Sequence, residues 1–368
     1  MNKKAIKVLS LFSGIGAPEQ ALKNIGVDHE LIGFSEIDKY AISSYCKVHD
    51  VSDDLNLGDI TKIDISSLPT DIDLITHGSP CQDFSIAGHQ KGGDKGTGTR
   101  SSLMWTTVDI VKHCRPKVVL WENVKNLLSK KHRHNFDGYL EVMEQMGYSN
   151  YYQVLNAKDY GIPQNRERIF VISIRKDIDK GYVFPEPQEL TLRLKDMLED
   201  EVDEKYYIST CKVQQLLQNI DGKLDLNKHM YKDPNKVLIP IDGKNSKMDN
   251  VTMVNDNYGM INGGTIGKMH DSSRRCYSVD YVSPTINTCG GGNLEPKIIE
   301  PTNENNEMVF KVRKLTPREC WRLMGFTDEQ FDKATEVCSN TQLYKQAGNS
   351  IVVNVLEAIL KNLSILKR

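Results

Sequence analysis

Short apolar runs alternate with helix-like segments through the first third of the chain, and this alternation constrains the fold more than any other feature. The runs that we predict to be strands are bounded by polar residues and cover residues 5–11, 31–34, 72–76 and 118–121. Helical spacing follows the first two runs, at residues 18–25 and 37–48. Strands separated by helices favour a mostly parallel sheet. We therefore predict an α/β fold with a doubly wound, mostly parallel sheet.

A change of composition near residues 184–187 divides the 368-residue chain. From there to about residue 311 the sequence is polar, rich in Asn and Gly and weakly periodic, and helical spacing returns at residues 317–324 and 351–363. We predict one domain built from residues 1–187 together with about 335–368. A smaller, loop-rich domain is then inserted between these parts, at about residues 188–334.

Charge and cysteine usage limit the classes of function. The chain has 47 Lys and Arg against 49 Asp and Glu, which excludes a uniformly basic nucleic-acid-binding protein but allows a local basic groove. The sequence contains no apolar run of about 18 residues, as a membrane-spanning helix requires. The eight cysteines form no C-x-x-C pair. We expect reduced thiols, no metal site and a cytoplasmic protein without a signal peptide.

A glycine turn and an acid after the first two predicted strands indicate a nucleotide-like ligand. Residues 11–16 read LFSGIG between a strand and a helix, where glycines let a ligand approach the backbone. Glu36 follows Gly16 by twenty residues, and an acid at this place can bind both hydroxyls of a ribose. Asp59 is a candidate acceptor for an adenine amino group. Each feature taken alone also fits an ordinary turn.

Reactive and charged side chains follow the later strands. Cys81 comes after the third strand, where a cysteine held by a preceding proline is placed to act as a nucleophile. Glu122 follows the fourth strand and is a candidate general acid with a pKa raised by partial burial. Gln164, Arg166 and Arg168 would share one face of a strand and suit phosphate or base contacts. The alternatives are a packing cysteine, an acid at a helix start and a solvated edge strand.

Two further segments have the composition of functional loops. Residues 78–100 form a long stretch rich in glycine with Lys91 and Lys95, which fits either a lid over the site or a flexible surface insertion. We take the lid as the prediction. Residues 346–353 read QAGNSIVV, and we expect the Gly-Asn-Ser turn to open a helix, either facing a ligand or acting as an N-cap.

Together these motifs resemble one family. Phe-Ser-Gly-Ile-Gly, Pro-Cys-Gln, Glu-Asn-Val, Gln-x-Arg-x-Arg and Gly-Asn-Ser occur in the order and spacing of the DNA (cytosine-5)-methyltransferases, in their compact bacterial or phage type. The resemblance covers the chain except for about residues 190–305, the region that holds the target-recognition domain in the family. It implies a Rossmann-like fold of the class I S-adenosylmethionine-dependent methyltransferases. It also implies methyl transfer to C5 of a flipped-out cytosine in a short specific sequence of double-stranded DNA, through a covalent bond between Cys81 and C6.

The resemblance implies roles for individual residues. Cys81 resembles the nucleophile, Glu122 the carboxyl that contacts ring N3 and the exocyclic amine, and Arg168 the arginine that holds the base carbonyl. Arg166 resembles the residue that anchors the substrate strand. The positions that resemble the cofactor site are Phe12, Gly14, Ile15, Gly16, Glu36, Ile37, Asp59, Ile60, Pro80, Leu103, Asn349 and Ile351.

DNA contacts are expected in and near the recognition region. The candidates that the resemblance and the residue types suggest are Gln82, Ser85, Gln164, Arg274, Arg275, Thr285 and Asn287. A second, basic set of candidates for backbone contacts is Lys125, Lys130, Lys131 and Arg133.

Three positions depart from the commonest pattern of the family. Gly78-Ser79 stands where a Gly-Phe pair often precedes Pro-Cys-Gln, and Ile37 stands where a bulky aromatic residue is common. Residues 17–19 read APE in place of a more frequent Gly-Phe continuation.

Other functions explain the sequence less well. An RNA cytosine-5 methyltransferase would usually carry Cys-Phe-Thr in its recognition region, and this chain has no such tripeptide. A non-catalytic DNA-binding relative would not need Cys81, Glu122 and Arg168. A nicotinamide dehydrogenase would share the glycine turn and Glu36, but it leaves Pro-Cys-Gln unexplained. We expect a monomer that uses S-adenosylmethionine, releases S-adenosylhomocysteine and acts on double-stranded DNA in a bacterial or phage-infected cell, paired with a separately encoded restriction endonuclease or solitary.

Overall fold

The structure of the protein is a computed structural model that describes residues 5–80, 93–94, 100–207, 251–253, 275–290, 294–304 and 307–366. Several residues named above lie outside the described residues: Cys81, Gln82, Ser85, Lys91, Lys95 and Arg274. Most of the predicted lid is therefore also outside them. None of the helices in the described ranges has the length and apolar character that crossing a bilayer requires.

The α-helices of the described ranges lie at the two ends of the chain. They are α1 (Ala17–Asn24), α2 (Lys39–His49), α3 (Met104–Cys114), α4 (Arg133–Gln145), α5 (Pro317–Arg322), α6 (Asp328–Thr335), α7 (Asn340–Asn349) and α8 (Val353–Lys361). The strands are β1 (Ile6–Leu11), β2 (His29–Ser35), β3 (Leu74–His77), β4 (Val118–Val124), β5 (Tyr148–Asn156), β6 (Gln164–Asn165), β7 (Glu167–Arg175), β8 (Val251–Met253), β9 (Arg275–Ser278), β10 (Ser283–Pro284), β11 (Lys297–Glu304) and β12 (Glu307–Lys314).

Six of the described strands form a central sheet in the order β2-β1-β3-β4-β7-β5. Strand β1 is parallel to β2 and β3, and β3 is parallel to β4. Strand β7 runs antiparallel to both of its neighbours, β4 and β5. The carboxyl ends of β1 to β4 and the amino end of β7 consequently meet at one edge of the sheet. The predicted mostly parallel α/β sheet is confirmed.

Both faces of the central sheet are buried, as expected for strands with continuous apolar runs. Neighbouring residues of a strand point to opposite faces. Val8 of β1 and Leu120 of β4 belong to one buried cluster with α1 and α8, whereas Leu9 and Trp121 belong to a second cluster with α3 and α4. The helices thus cover the sheet on two sides and leave the carboxyl edge for a ligand.

A second sheet lies in the predicted inserted domain, with the order β12-β11-β9-β8 among the described strands. Helices α5 and α6 follow it, but they pack with the ends of the chain. Trp321 of α5 is buried, and its Nε1 donates a hydrogen bond to the carbonyl of Leu343 in α7 at 3.0 Å. Lys333 of α6 pairs with Asp50 after α2 at 2.9 Å. We therefore propose that the first domain resumes near residue 315 instead of the expected 335.

Two predicted element boundaries need correction. Strand β4 continues through Glu122 to Val124, because its pairing with β7 extends to Val124 opposite Arg168. The Gly-Asn-Ser turn does not open a helix. Gly348 and Asn349 are the last residues of α7, Ser350 is its C-cap, and α8 begins only at Val353.

Candidate active site

A cleft lies at the carboxyl edge of the central sheet. It is formed by the ends of β1, β3 and β4 together with the segment between α7 and α8. Its lining residues are Ser10, Leu11, Phe12, Ser13, Gly14, Ala17, Pro18, Thr76, His77, Gly78, Glu122, Asn349, Ser350 and Ile351. The structure therefore brings together four predicted cofactor residues and the predicted acid, which are separated by up to 339 positions along the chain.

The glycine turn after β1 has a conformation that exposes its main chain to the cleft. Phe12 and Gly14 have positive φ angles of 54° and 55°, and Gly16 has a φ of 78°. A Cβ atom on Gly16 would lie 2.1 Å from Nε2 of His49, so only glycine fits there. The side chain of Ile15 is buried beneath the turn, and its carbonyl lies 3.0 Å from the same His49 nitrogen.

Glu36 joins the turn after β1 to the end of β2. Its Oε2 accepts a hydrogen bond from the N–H of Gly14 at 3.0 Å. Its Oε1 accepts from the N–H groups of Ile37 and Asp38 at 2.8 and 2.9 Å. The neighbouring Ile37 side chain is 75% exposed, which is unusual for a large apolar residue and leaves a flat apolar surface beside the carboxylate.

Three other predicted cofactor residues lie around this edge in different environments. Asp59 begins a short 3₁₀ turn, and hydrogen bonds from the main chain and side chain of Thr61 lower the pKa of its carboxyl. The side chain of Ile60 is buried in the core, so a ligand could reach only its main chain. Leu103 is partly buried directly before α3 and packs against the same core cluster.

The main chain that leads to Cys81 is held from two sides. Nδ2 of Asn123 in β4 donates a hydrogen bond to the carbonyl of Ser79 at 3.1 Å. The buried hydroxyl of Ser101 donates to the carbonyl of Pro80 at 2.9 Å. The last two residues before Cys81 therefore have a defined position at the same edge as Glu122.

Glu122 and Arg168 form an ion pair at this edge. Nε of Arg168 lies 3.0 Å from Oε1 of Glu122, and their side chains are 18% and 12% exposed. The antiparallel pairing of β4 and β7 produces the contact, since it places Arg168 opposite Val124. Burial raises the pKa of the Glu122 carboxyl, although the positive charges of Arg168 and Arg166 oppose this shift.

Arg166 holds three segments of the chain together. The strand breaks at this residue, between β6 and β7, and the side chain turns into the protein, where it is 4% exposed. Its Nη1 donates to the carbonyl of Ile286 at 2.8 Å, and Nη2 donates to the carbonyls of Gly348 and Ser350 at 3.1 and 2.8 Å. Since these bonds engage both terminal nitrogens, we interpret Arg166 as a positioning residue instead of a direct substrate ligand.

The structure places Gln164 inside the protein, where its side chain does not fit the predicted DNA contact. The side chain has no exposed surface. Its Nε2 donates to the carbonyl of Leu323 at 2.7 Å, and its Oε1 accepts from the N–H of Ile286 at 3.0 Å. Gln164 therefore joins the recognition segment to the C-terminal helices, and a buried, bonded amide cannot read a base.

Thr285 and Asn287 are exposed beside this junction. The Thr285 hydroxyl donates to the carbonyl of Asn165 at 2.7 Å. Nδ2 of Asn287 donates to the carbonyl of Leu294 at 3.1 Å, and its Oδ1 accepts from the N–H of Cys289 at 2.7 Å. Both remain candidate DNA contacts, on a rigid segment. Arg275 lies in β9, apart from the cleft residues.

The second, basic set of candidates is exposed on the segment that enters α4. Lys125 pairs with Glu167 at 2.9 Å, and Arg133 pairs with Asp137 at 2.7 Å. Lys130 and Lys131 are also exposed. The carboxylates next to two of these four cations reduce the local positive charge, which weakens this segment as a phosphate-binding surface.

Gly348→Ala is expected to destabilise the protein by about 1–3 kcal/mol. A Cβ atom there would lie 2.3 Å from the main-chain carbon of Asn287 and 2.4 Å from the nitrogen of Thr288. Urea denaturation measures the loss. Gly138→Ala in α4 is the matched control, because its Cβ would meet only Trp105 at 3.5 Å. Helix propensity predicts a gain of up to about 1 kcal/mol for this control. Equal stability of the two variants would show that the junction adapts to the added methyl group.

Sequence reasoning missed three residues of this site. Ser101 and His49 hold the main chain of the loops, and Trp121 donates a hydrogen bond to Ser79. Each bond joins residues that lie 21 to 42 positions apart in the sequence. Trp121 directly precedes the Glu-Asn-Val motif, and this position was the one signal that pointed to it.

Known proteins resemble this chain along nearly its whole length. The model of the family described as C-5 cytosine-specific DNA methylase matches residues 6–364. The orphan methyltransferase M.SPBetaI of Bacillus phage SPbeta is 35% identical over 97% of each chain. The type II methyltransferase M.HhaI of Haemophilus parahaemolyticus is 33% identical over 97% of this chain and 94% of its own.

Solved structures share the fold at lower identity. The S. pombe Dnmt2 methyltransferase has a TM-score of 0.63 at 18% identity and covers 98% of both chains. A putative DNA modification methyltransferase encoded within an E. coli prophage has a TM-score of 0.60 at 20% identity and covers 99% of both chains.

Proposed function

This chain belongs to the C-5 cytosine-specific DNA methylase family, and from that premise we propose how its residues methylate cytosine in DNA. The observation that carries the proposal is the Glu122–Arg168 pair, which lies at the sheet edge next to the chain leading to Cys81. A buried acid and a cation placed together beside a nucleophile can hold the polar edge of a pyrimidine while its opposite edge reacts.

Cys81 is the proposed nucleophile. Its thiolate forms a bond to C6 of the cytosine, and the electron pair of the C5–C6 double bond is displaced towards C5. After C5 has taken the methyl group, loss of the C5 proton restores the double bond and expels the thiolate. A soft, polarisable sulfur suits both the addition and the departure. The rigid position of Ser79 and Pro80 supports this role, because it limits where the following residue can lie.

Glu122 is the proposed acid. Attack at C6 makes the ring accept electron density, and a proton held at N3 stabilises the product of that addition. Burial raises the pKa of Glu122 and so favours a carboxyl that can share a proton with N3. Arg168 is placed to hold the carbonyl of the base and to keep the carboxyl oriented. Arg166 supports both by fixing the main chain before β7.

The cleft residues fit S-adenosylmethionine, the methyl donor that this family uses. The donor supplies an electrophilic methyl group on a sulfonium. The turn from Phe12 to Gly14 presents its main chain to the cleft. Oε2 of Glu36 accepts one hydrogen bond from the protein, which leaves it acceptor capacity for a ribose hydroxyl. The exposed Ile37 can pack against an adenine face.

The substrate cytosine must flip out of the DNA double helix, because C6 of a stacked cytosine is not accessible to a side chain. We propose double-stranded DNA as the substrate, with Thr285 and Asn287 on the recognition side of the site. Relatives named orphan methyltransferases and relatives named type II methyltransferases each match 97% of this chain.

Sequencing of methylated DNA tests the proposal. Purified protein is incubated with S-adenosylmethionine and unmethylated genomic DNA, and 5-methylcytosine is mapped by bisulfite sequencing, with a tRNA pool in parallel. We expect methylation at one short DNA motif and none on tRNA, because the chain lacks the Cys-Phe-Thr element of the RNA enzymes. Methylation of tRNA alone would contradict the proposed substrate, and no methylation of either would contradict the proposed catalysis.

A further inference from the structure

A hydrogen bond between two buried side chains lies two residues before Cys81. Nε1 of Trp121 donates to Oγ of Ser79 at 3.1 Å. Trp121 is 1% exposed and Ser79 is 3% exposed. Since water cannot replace the hydroxyl, losing Ser79 leaves the buried indole N–H unsatisfied. Oγ of Ser79 also accepts a longer hydrogen bond from Nδ2 of Asn123 at 3.5 Å.

The indole of Trp121 cannot shift easily. Its ring is stacked on His77 at 5.6 Å between centroids with an interplanar angle of 7°. The ring of Tyr139 lies 4.2 Å away on a tilted plane, and Phe136 lies 6.2 Å away. Strand pairing also fixes the backbone, because Trp121 stands opposite His77 in the parallel ladder between β3 and β4. The indole N–H therefore has a fixed position and direction, towards Oγ of Ser79.

The main chain of Ser79 and of the next residue is also held by hydrogen bonds. Its carbonyl is held by Asn123 at 3.1 Å, and the next carbonyl, that of Pro80, is held by Ser101 at 2.9 Å. A phenylalanine, which is common in the family at this place, has no acceptor for the indole N–H. In this chain, the hydrogen bond between Ser79 and Trp121 helps to hold the main chain before Cys81.

We propose that the Ser79–Trp121 hydrogen bond is a positioning contact that fixes the main chain immediately before Cys81 and thereby favours the addition of this residue to C6 of the flipped cytosine. The inference rests on the proposed role of Cys81 as the nucleophile. Displacement of a reacting atom by about 1 Å can cost about 100-fold in rate. The contact should therefore affect the rate of addition to C6 more than the binding of the cofactor, because neither Ser79 nor Trp121 lines the cleft.

Covalent trapping in the presence of S-adenosylmethionine measures addition to C6 together with the methyl transfer that follows it. Once C5 of 5-fluorocytosine has taken the methyl group it has no proton to lose, so the adduct with Cys81 accumulates and can be counted on a denaturing gel. Single-turnover trapping uses a duplex that carries 5-fluorocytosine at the site found by bisulfite mapping. Ser79→Ala and Trp121→Phe are each expected to slow trapping about tenfold or more. The dissociation constant of S-adenosylmethionine is expected to stay within about twofold of the wild-type value.

Trp321→Phe is the matched control. Trp321 is also fully buried, and its Nε1 donates a comparable bond to the carbonyl of Leu343 at 3.0 Å. Both Trp→Phe variants lose one indole N–H bond and create a similar cavity, so they should lose similar stability in thermal unfolding. We expect only the Trp121 variant to slow trapping. Ser79→Thr keeps the hydroxyl acceptor and is expected to retain most of the wild-type rate.

The double variant distinguishes an effect of the hydrogen bond from two independent effects of losing Ser79 and Trp121. If the bond itself positions the loop, Ser79→Ala combined with Trp121→Phe slows trapping little more than either change alone. Trapping at the wild-type rate in Trp121→Phe, with the same loss of stability as Trp321→Phe, would overturn the inference and leave the bond a structural one. Failure of the wild-type protein to form an adduct would instead refute the role of Cys81, and that arm of the experiment reports it separately.

Discussion

Cys81→Ser is expected to abolish methyl transfer to DNA, with a rate lower by about 10³-fold or more, while affinity for S-adenosylmethionine stays within a few-fold. The hydroxyl of serine is a weaker nucleophile than a thiolate and a poorer leaving group from C6. The chain before this position is fixed by Asn123 and Ser101, so the substitution changes the chemistry of one atom with little effect on the loop. Transfer of a labelled methyl group and calorimetric titration with the cofactor measure the two quantities.

Cys46→Ser is the control for this prediction. Cys46 is half-buried in α2 and does not line the cleft. The same exchange of sulfur for oxygen at this position should therefore leave the rate of methyl transfer unchanged. Turnover of the Cys81 variant at the wild-type rate would end the covalent mechanism. Loss of cofactor binding in that variant would show that Cys81 also has a structural role in the cleft.

Glu122→Gln is expected to lower the rate of methyl transfer by about 10²–10⁴-fold, which is the usual contribution of a positioned general acid. Glutamine keeps the shape of the side chain and one acceptor oxygen for Arg168, but it has no proton to share with N3. Single-turnover transfer with saturating DNA and cofactor measures the loss, because it removes binding differences from the comparison.

The pH profile of the wild-type enzyme provides a second measure of Glu122. Burial raises the pKa of this carboxyl. The protonated form is the proposed donor, so its contribution is present below that pKa and is lost as the pH rises through it. The loss should therefore begin at a higher pH than an exposed glutamic acid would give, and it should be absent from the profile of Glu122→Gln.

Glu19→Gln is the matched control for Glu122→Gln. Glu19 in α1 is also buried, and burial likewise raises the pKa of its carboxyl. The residue is not among those that line the cleft. We expect its replacement to leave the rate of methyl transfer and the pH profile unchanged. A full rate in Glu122→Gln would exclude this residue as the acid, and an equal loss in both variants would point to a general effect of removing a buried carboxyl.

Much of the fold could be predicted because it depends on local pattern. The strands β1 to β4 stand out as apolar runs bounded by polar residues, and the turn after β1 stands out through its glycines. The end of β4 was predicted too early, since Glu122 is polar and its place in a strand depends on pairing with β7, nearly fifty residues later in the chain. The Gly-Asn-Ser turn was placed at the wrong end of a helix because asparagine and serine are common at N-caps.

The candidate site could be predicted by residue type but not by contact. Glu122 and Arg168 were both recognised, whereas their ion pair follows from the antiparallel strand register. Gln164 and Arg166 were expected to face a ligand. Their partners, Ile286 and Gly348, lie 120 residues or more away along the chain, and only the folded structure shows that both side chains point inward. A polar residue in a charged motif carries no local sign that it will be buried.

The cleft has a consequence for the order in which the enzyme is made. The walls contributed by β1, β3 and β4 leave the ribosome early, but Asn349 and Ile351 complete the same cleft from the far end of the chain. The two ends of the chain are also joined outside the cleft, since Asn24 of α1 donates a hydrogen bond to Glu357 of α8 at 2.6 Å. A nascent chain therefore carries the sheet long before it carries a closed cofactor site. We therefore expect methylation to begin only after the C-terminal helices have emerged and docked.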